Sequence, residues 1–155
     1  MDGTELDHHL RAARILGRRL RDSADELRTL MPVTGTALAY MPEKFRTEAD
    51  ALLHRFRTLH GLLMGRILPG ILERAGLECR GKYPREIPDL LVGIGLAPNP
   101  AVIDGLQRPA DRLNGDFPTD PGAEAELLNE TWRHIGDMIA LLDRAESWAG
   151  ARNGT

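Results

Sequence analysis

Apolar residues recur at intervals of three and four along three long segments of the chain, which is the spacing of one face of an α-helix. The segments run from Thr4 to Leu30, from Pro42 to Leu68 and from Pro121 to Trp148. No stretch of useful length alternates with the period of two that a half-buried β-strand shows. The pattern therefore predicts an all-α protein, a bundle of three long helices and two short ones.

Prolines and capping residues indicate where the helices begin and end. Pro69 is expected to kink or break the second long helix. One short helix is expected in "DLLVGIG" at 89–95, and another begins with Asn99 as its N-cap and stops before Pro109. Asp120 caps the last long helix in the same manner as Asn99 caps the short one. The connections between helices are expected to be irregular at 32–42 and 77–88.

The length of 155 residues fits one domain. We predict that this domain spans residues 1–149 and that residues 150–155 form a flexible tail. The long terminal helices carry apolar stripes that a small bundle does not fully cover, so a homodimer is expected.

The net charge of -3 gives the chain little general attraction to nucleic acid or acidic membranes. A single cysteine, Cys79, excludes an internal disulfide and a multi-cysteine zinc site and favours a reducing compartment, the cytoplasm. No apolar run approaches the roughly 20 residues of a membrane span. The histidines show neither an HExxH pattern nor a cluster of metal ligands, so no metal or cofactor is predicted.

Two features of the sequence are candidates for a local functional site. His60 follows Phe56 by one turn and lies near the apolar stripe, so we interpret it as a core or interface histidine, with a place in a cleft as the alternative. A series of arginines at helical spacing on the first helix could hold a row of phosphates, as in RNA. Acidic residues share this helix, so a solvated face with ordinary ion pairs is the other interpretation. The series is Arg11, Arg14, Arg18 and Arg21, with Arg28 nearby.

The turn "LNGDFPTDPG" at 113–122 lies between a short helix and the final long helix. Together with "ALLHRFRTLHGLLMGRILPGILERAG" before it, the order of segments over roughly residues 20–148 resembles the HepT-like branch of the HEPN families. This resemblance implies a helical dimer. In active members an arginine, a polar residue and then a histidine followed by an acidic residue, a tyrosine and a proline form a metal-independent ribonuclease site across the dimer.

Here the residues that carry the chemistry of this motif are changed. When the final proline is placed on Pro118, the remaining motif positions fall, from the arginine to the tyrosine, on Ala110, Asp111, Gly115, Asp116 and Phe117. Glycine cannot transfer a proton, and alanine cannot neutralise the charge that develops on phosphate. The turn therefore resembles a degenerate ribonuclease site whose remaining residues shape the start of the final helix.

Three functions remain open on this basis. The preferred one is a non-catalytic module that binds RNA or a partner protein, such as one of the nucleotidyltransferase type. In the second, the cleft has been adapted to a small molecule or a new reaction, with candidate lining residues His60, Asp111, Asp116, Arg112, Tyr40 and Tyr83. The third is an active ribonuclease toxin with a slipped motif, in which Arg108 or Arg112 works with Asp116 or the distant His134.

Overall fold

The computed structural model describes residues 1–77 and 86–153, and all regular structure in these ranges is helical. The all-α prediction is thereby confirmed, although the helices are more finely divided than expected. Cys79 and Tyr83 lie outside the described residues. The helices are α1 (Gly3–Leu27), α2 (Gly35–Ala39), α3 (Glu43–Leu62), α4 (Leu68–Arg74), α5 (Glu86–Gly93), α6 (Pro100–Leu113), α7 (Pro121–Arg133) and α8 (Ile135–Asn153).

Helix α1 begins where a carboxylate caps it: the Oδ1 atom of Asp2 accepts the main-chain N–H of Glu5 at 2.8 Å. Most of its apolar stripe is buried, as the periodicity predicted, and a short 3₁₀ turn, Arg28–Leu30, follows it. The buried apolar residues form one cluster to which every helix contributes. Among the described residues, no helix is long and apolar enough to cross a bilayer.

At Pro69, where we expected a kink or a break, the helical path does not break, and the regular α-helix is interrupted just before the proline. A π-helical turn, Leu63–Ile67, joins α3 to α4, and the N–H of Leu68 donates to the carbonyl of Leu63, five residues back. In a regular α-helix the Pro69 ring would crowd the carbonyl four residues before it and leave that carbonyl without a donor. The wider turn directly before the proline accommodates the ring, so the helical path continues to Arg74.

Helix α6 also continues through a proline, where we predicted an end at Pro109. Asn99 and Pro100 start the helix as expected, with the Asn99 side chain accepting the N–H of Val102 at 3.2 Å. Pro109 removes one helical hydrogen bond, but it is buried together with Leu106 and Ala110 on the same helix. Packing of this face outweighs the lost bond, because tertiary contacts supply most of the stability of a helix in a folded protein.

The final segment, expected as one helix, is divided at His134 into α7 and α8. The main-chain N–H of His134 donates to the carbonyl of Thr131, three residues back. The carbonyl of Glu130, four residues back, lies 2.8 Å from the Nδ1 atom of the His134 imidazole. The side chain therefore occupies the acceptor that a continuous helix would give to the main chain. Helix α8 runs to Asn153, so residues 150–153 of the expected tail are helical.

The connection expected to be irregular at 32–42 contains the short helix α2, capped by the Thr34 side chain. It is fixed to α7 at two places. The Asn129 side chain exchanges two hydrogen bonds of 2.8 Å with the main chain of Val33. Gly35 packs so closely on Gly122 that an added Cβ would lie 2.9 Å from the Gly122 Cα atom. This contact places the start of α7, and with it the preceding turn, relative to α2.

Candidate functional site

The turn between α6 and α7, residues 114–120, is shaped by hydrogen bonds at both of its ends. The N–H of Asn114 donates to the carbonyl of Ala110 and the N–H of Gly115 to that of Arg112, which closes α6. At the other end, the Asp120 carboxylate accepts the N–H of Ala123 at 2.9 Å and caps α7, as predicted.

The turn lies beside α3 and forms a groove with it. We call this the Phe117 groove; it has a volume of about 360 Å³. Its lining residues are Asp50, Leu53, His54, Arg57, Leu113 and Phe117. The Phe117 side chain is 58% exposed, which is unusual for an aromatic residue in a folded protein. Phe117 is distinctive in the sequence, whereas the three polar residues from α3 join it only through the fold.

His60 lies farther along the same face of α3, seven residues after Leu53. It is 6% exposed, and its ring stacks on Phe56 with 6.5 Å between centroids. This confirms its place in the core of the chain. Its Nε2 atom is buried and has no hydrogen-bond partner. Burial lowers the pKa of His60, and the negative charge of the Asp111 carboxylate opposes part of that shift.

The motif positions do not come together as a catalytic site in the chain. Ala110, at the arginine position, is 0% exposed and belongs to the core. Asp111 is exposed and accepts a hydrogen bond of 2.7 Å from Gln107. Gly115 and Asp116 are both exposed on the turn. The arginine position therefore faces the protein interior, whereas the histidine and acidic positions face solvent.

The arginines of a slipped motif are placed differently. Arg112 forms an ion pair with the Glu130 carboxylate of α7, and His134 contacts the carbonyl of the same Glu130. Arg112 and His134 thus both contact Glu130, and each is already engaged by this contact. Arg108 is exposed on α6.

The arginine series lies on α1, which does not line the Phe117 groove. Arg14, Arg18 and Arg21 line a second depression of about 210 Å³ between α1 and α8. Arg14 is paired with Glu146 at 3.2 Å, and outside this depression Arg28 is paired with Asp25 at 2.6 Å. Arg11 is exposed. Arg14 and Arg28 thus form the ordinary ion pairs that the solvated-face interpretation predicted.

The described residues suggested for an adapted cleft lie in different environments, and Tyr83 lies outside the described ranges. His60 and Asp111 interact electrostatically, whereas Arg112 is engaged with Glu130. Tyr40 is 84% exposed at the end of α2. Within residues 1–77 and 86–153, no group of three histidine, cysteine, aspartate or glutamate side chains is arranged to hold a metal ion.

No protein-family model matches this chain, and neither does any curated protein or solved structure with which it was compared. The functional assignment therefore rests on the residues of the chain and on the geometry of the Phe117 groove.

Proposed function

We propose that this protein is a HepT-like HEPN protein that has lost ribonuclease chemistry and binds a partner protein through the Phe117 groove. One observation carries the proposal. The turn keeps the acid, aromatic and proline residues of the motif, and its aromatic residue, Phe117, is exposed above the groove while the positions for the base and the cation carry no functional group.

The absence of catalysis follows from the side chains. Cleavage of RNA at the ribose 2′-hydroxyl needs a group that accepts a proton and a cation that stabilises charge on the phosphate. Gly115 and Ala110 supply neither. Arg112 could supply the charge, but the Glu130 carboxylate already neutralises it.

The charges around the groove favour a protein over RNA. Asp50 and Arg57 line the groove and offset each other, and Asp111, Asp116 and Asp120 are exposed on or beside the turn. These carboxylates repel a phosphate backbone.

The apolar residues of the groove support the same choice. Leu53, Leu113 and Phe117 give the groove an apolar part, to which the exposed Phe117 ring contributes. A protein that inserts an apolar side chain there and surrounds it with basic residues would complement both features. A cytoplasmic partner of the nucleotidyltransferase type, implied by the resemblance, is the first to test.

The loss of catalysis is tested with purified protein and mixed cellular RNA in the presence of EDTA. We expect no cleavage by the wild type. A double variant, Asp116→Ala with Arg112→Ala, shows whether any cleavage depends on these two residues. Cleavage by the wild type that disappears in the double variant would contradict the proposal and support the slipped-motif ribonuclease.

Partner binding is tested by photocrosslinking. A photoreactive phenylalanine analogue is placed at position 117 and, as a matched control, at position 15, because Ile15 is also an exposed apolar residue but lies on α1. In lysate of the source cells, we expect a discrete crosslinked protein from position 117 alone. The same product from both positions, or none from position 117, counts against a docking role for the groove.

A further inference from the structure

The middle of α1 is strongly basic. Residues 8–21 include five arginines and no carboxylate, although the whole chain is acidic. The arginines are Arg11, Arg14, Arg18, Arg19 and Arg21, and all are exposed. Like charges this close repel one another, so an anion held among them lowers the electrostatic energy of the helix.

Three of these arginines line a depression with an apolar floor, which we call the α1–α8 cleft. Arg14, Arg18 and Arg21 come from α1, and Ile139 and Leu142 of α8 lie beside Gly17. Gly17 allows the two helices to approach, because an added Cβ would lie 2.8 Å from the Leu142 Cδ2 atom. The cleft volume is about 210 Å³.

Arg14 is already oriented toward an anion. Its Nε atom lies 3.3 Å from both carboxylate oxygens of Glu146, and its Nη2 atom lies 3.2 Å from Oε2. A guanidinium group has five N–H donors, so the Nη1 edge remains for another acceptor. Within the described part of the chain, Arg18 and Arg21 form no ion pair.

We propose that the α1–α8 cleft binds a phosphate group, with Arg14, Arg18 and Arg21 as its donors. Phosphate carries more charge than a carboxylate and offers several oxygens that match the planar donor pairs of arginine. Asp143 and Glu146 also line the cleft and weaken the attraction, but the three guanidinium groups outnumber these two carboxylates. This site goes beyond the proposed docking function, since it lies on other helices than the Phe117 groove.

The first test is calorimetric titration of the whole chain with inorganic pyrophosphate at constant ionic strength. We expect measurable binding to the wild type and about tenfold weaker binding to an Arg18→Gln, Arg21→Gln double variant, because two unpaired cations are removed. Arg108→Gln is the matched control, since Arg108 is an exposed arginine on α6 outside the cleft. Circular dichroism establishes that each variant is folded.

Glu146→Gln is the sharper test, because this change removes a negative charge from the cleft and keeps an acceptor for Arg14. Pyrophosphate binding should become about fivefold tighter. Asp25→Asn removes one negative charge from the ion pair with Arg28, outside the cleft, and should leave binding unchanged. Equal tightening in both variants would show that only the net charge of the protein matters, and it would overturn the proposal, as would no binding by the wild type.

A competition arm identifies the source of the phosphate. A short single-stranded RNA without terminal phosphates is added to the pyrophosphate complex. Displacement of pyrophosphate assigns the cleft to a nucleic-acid backbone, and failure to displace it assigns the cleft to a small phosphorylated ligand. Binding that is equally weakened by Arg108→Gln excludes the cleft in either case.

Discussion

The Nδ1 atom of His134 lies 2.8 Å from the carbonyl oxygen of Glu130, the acceptor that a continuous helix would give to the main-chain N–H of His134 itself. The main-chain N–H turns instead to Thr131. The side chain thus takes part in the boundary between α7 and α8. Its ring also lies against α6, because an added Cβ on Gly105 would be 3.3 Å from the His134 Nε2 atom.

Replacing His134 by alanine should lower the free energy of unfolding by about 1–2 kcal/mol, since one hydrogen bond and the packing on Gly105 are lost. Urea unfolding followed by circular dichroism measures the change. Arg133→Ala is the control, because Arg133 is the exposed neighbour at the end of α7. If the two variants are equally stable, the imidazole has no part in dividing the helix.

Asn129→Asp should destabilise the protein by about 1–3 kcal/mol, because a partly buried carbonyl loses its donor and faces a carboxylate instead. The aspartate can still accept the N–H of Val33, but it cannot donate to the Val33 carbonyl as the amide does at 2.8 Å. The measurement is thermal unfolding at pH 8. Glu126→Gln, an exposed change on α7, provides the reference. Unfolding at the wild-type temperature would show that the amide does not hold the 32–34 segment.

Two glycines should respond to alanine in opposite directions. At Gly35 a Cβ would lie 2.9 Å from the main chain of Gly122, which cannot move aside as a side chain can, so a loss of about 1–3 kcal/mol is expected. At Gly61 on α3 a Cβ meets no atom within 4 Å. Alanine there should stabilise the helix by about 0.5–1 kcal/mol. Denaturant unfolding of both variants tests the pair, and a stabilising Gly35→Ala would refute the close packing of α2 on α7.

His60 should make the stability depend on pH. Its pKa in the folded state is lowered by burial, whereas in the unfolded chain it keeps the ordinary value of about 6.5. As the pH falls below that value, the unfolded chain binds a proton that folded His60 does not, so stability present above about pH 6.5 is progressively lost. The slope from this one group cannot exceed about 1.4 kcal/mol per pH unit.

Two variants isolate this effect in unfolding experiments between pH 7 and pH 5. His60→Gln should flatten the dependence on pH, because the titrating group is gone. Asp111→Asn should make it steeper, since the carboxylate that raises the pKa of His60 is removed. An unchanged slope in His60→Gln would assign the dependence to other groups.

The parts of the fold that could be predicted from sequence are those fixed by neighbouring residues. The caps at Asn99 and Asp120 use a side chain and an N–H three residues apart, so they are visible in a short window. The prediction at Pro109 was wrong, because a buried helix face compensates for the proline, and the interruption expected at Pro69 takes the form of a π-helical turn just before it. The division at His134 depends on the direction of one imidazole ring, which periodicity does not report.

In the candidate site, too, features fixed by neighbouring residues could be predicted from sequence, whereas features fixed by tertiary packing could not. The turn around Phe117 is distinctive in sequence, and it was identified there. Asp50, His54 and Arg57 were missed, because they belong to the groove only through the packing of α3 beside a turn that follows it by some 60 residues. The degenerate motif could be aligned from sequence, but the burial of Ala110 required the structure.

Because of the π-helical turn at Leu63–Ile67, the orientation of α3 relative to α4 depends on the number of residues between them. Such a turn holds one residue more than an α-helix of the same reach. Deletion of Gly65, which is exposed and where a Cβ would touch nothing, would remove no side-chain contact of its own. The deletion would nevertheless rotate everything before it by about 100° relative to α4. The inward direction of His60 thus depends on a single inserted residue, and a change in the number of residues could expose this histidine without any substitution.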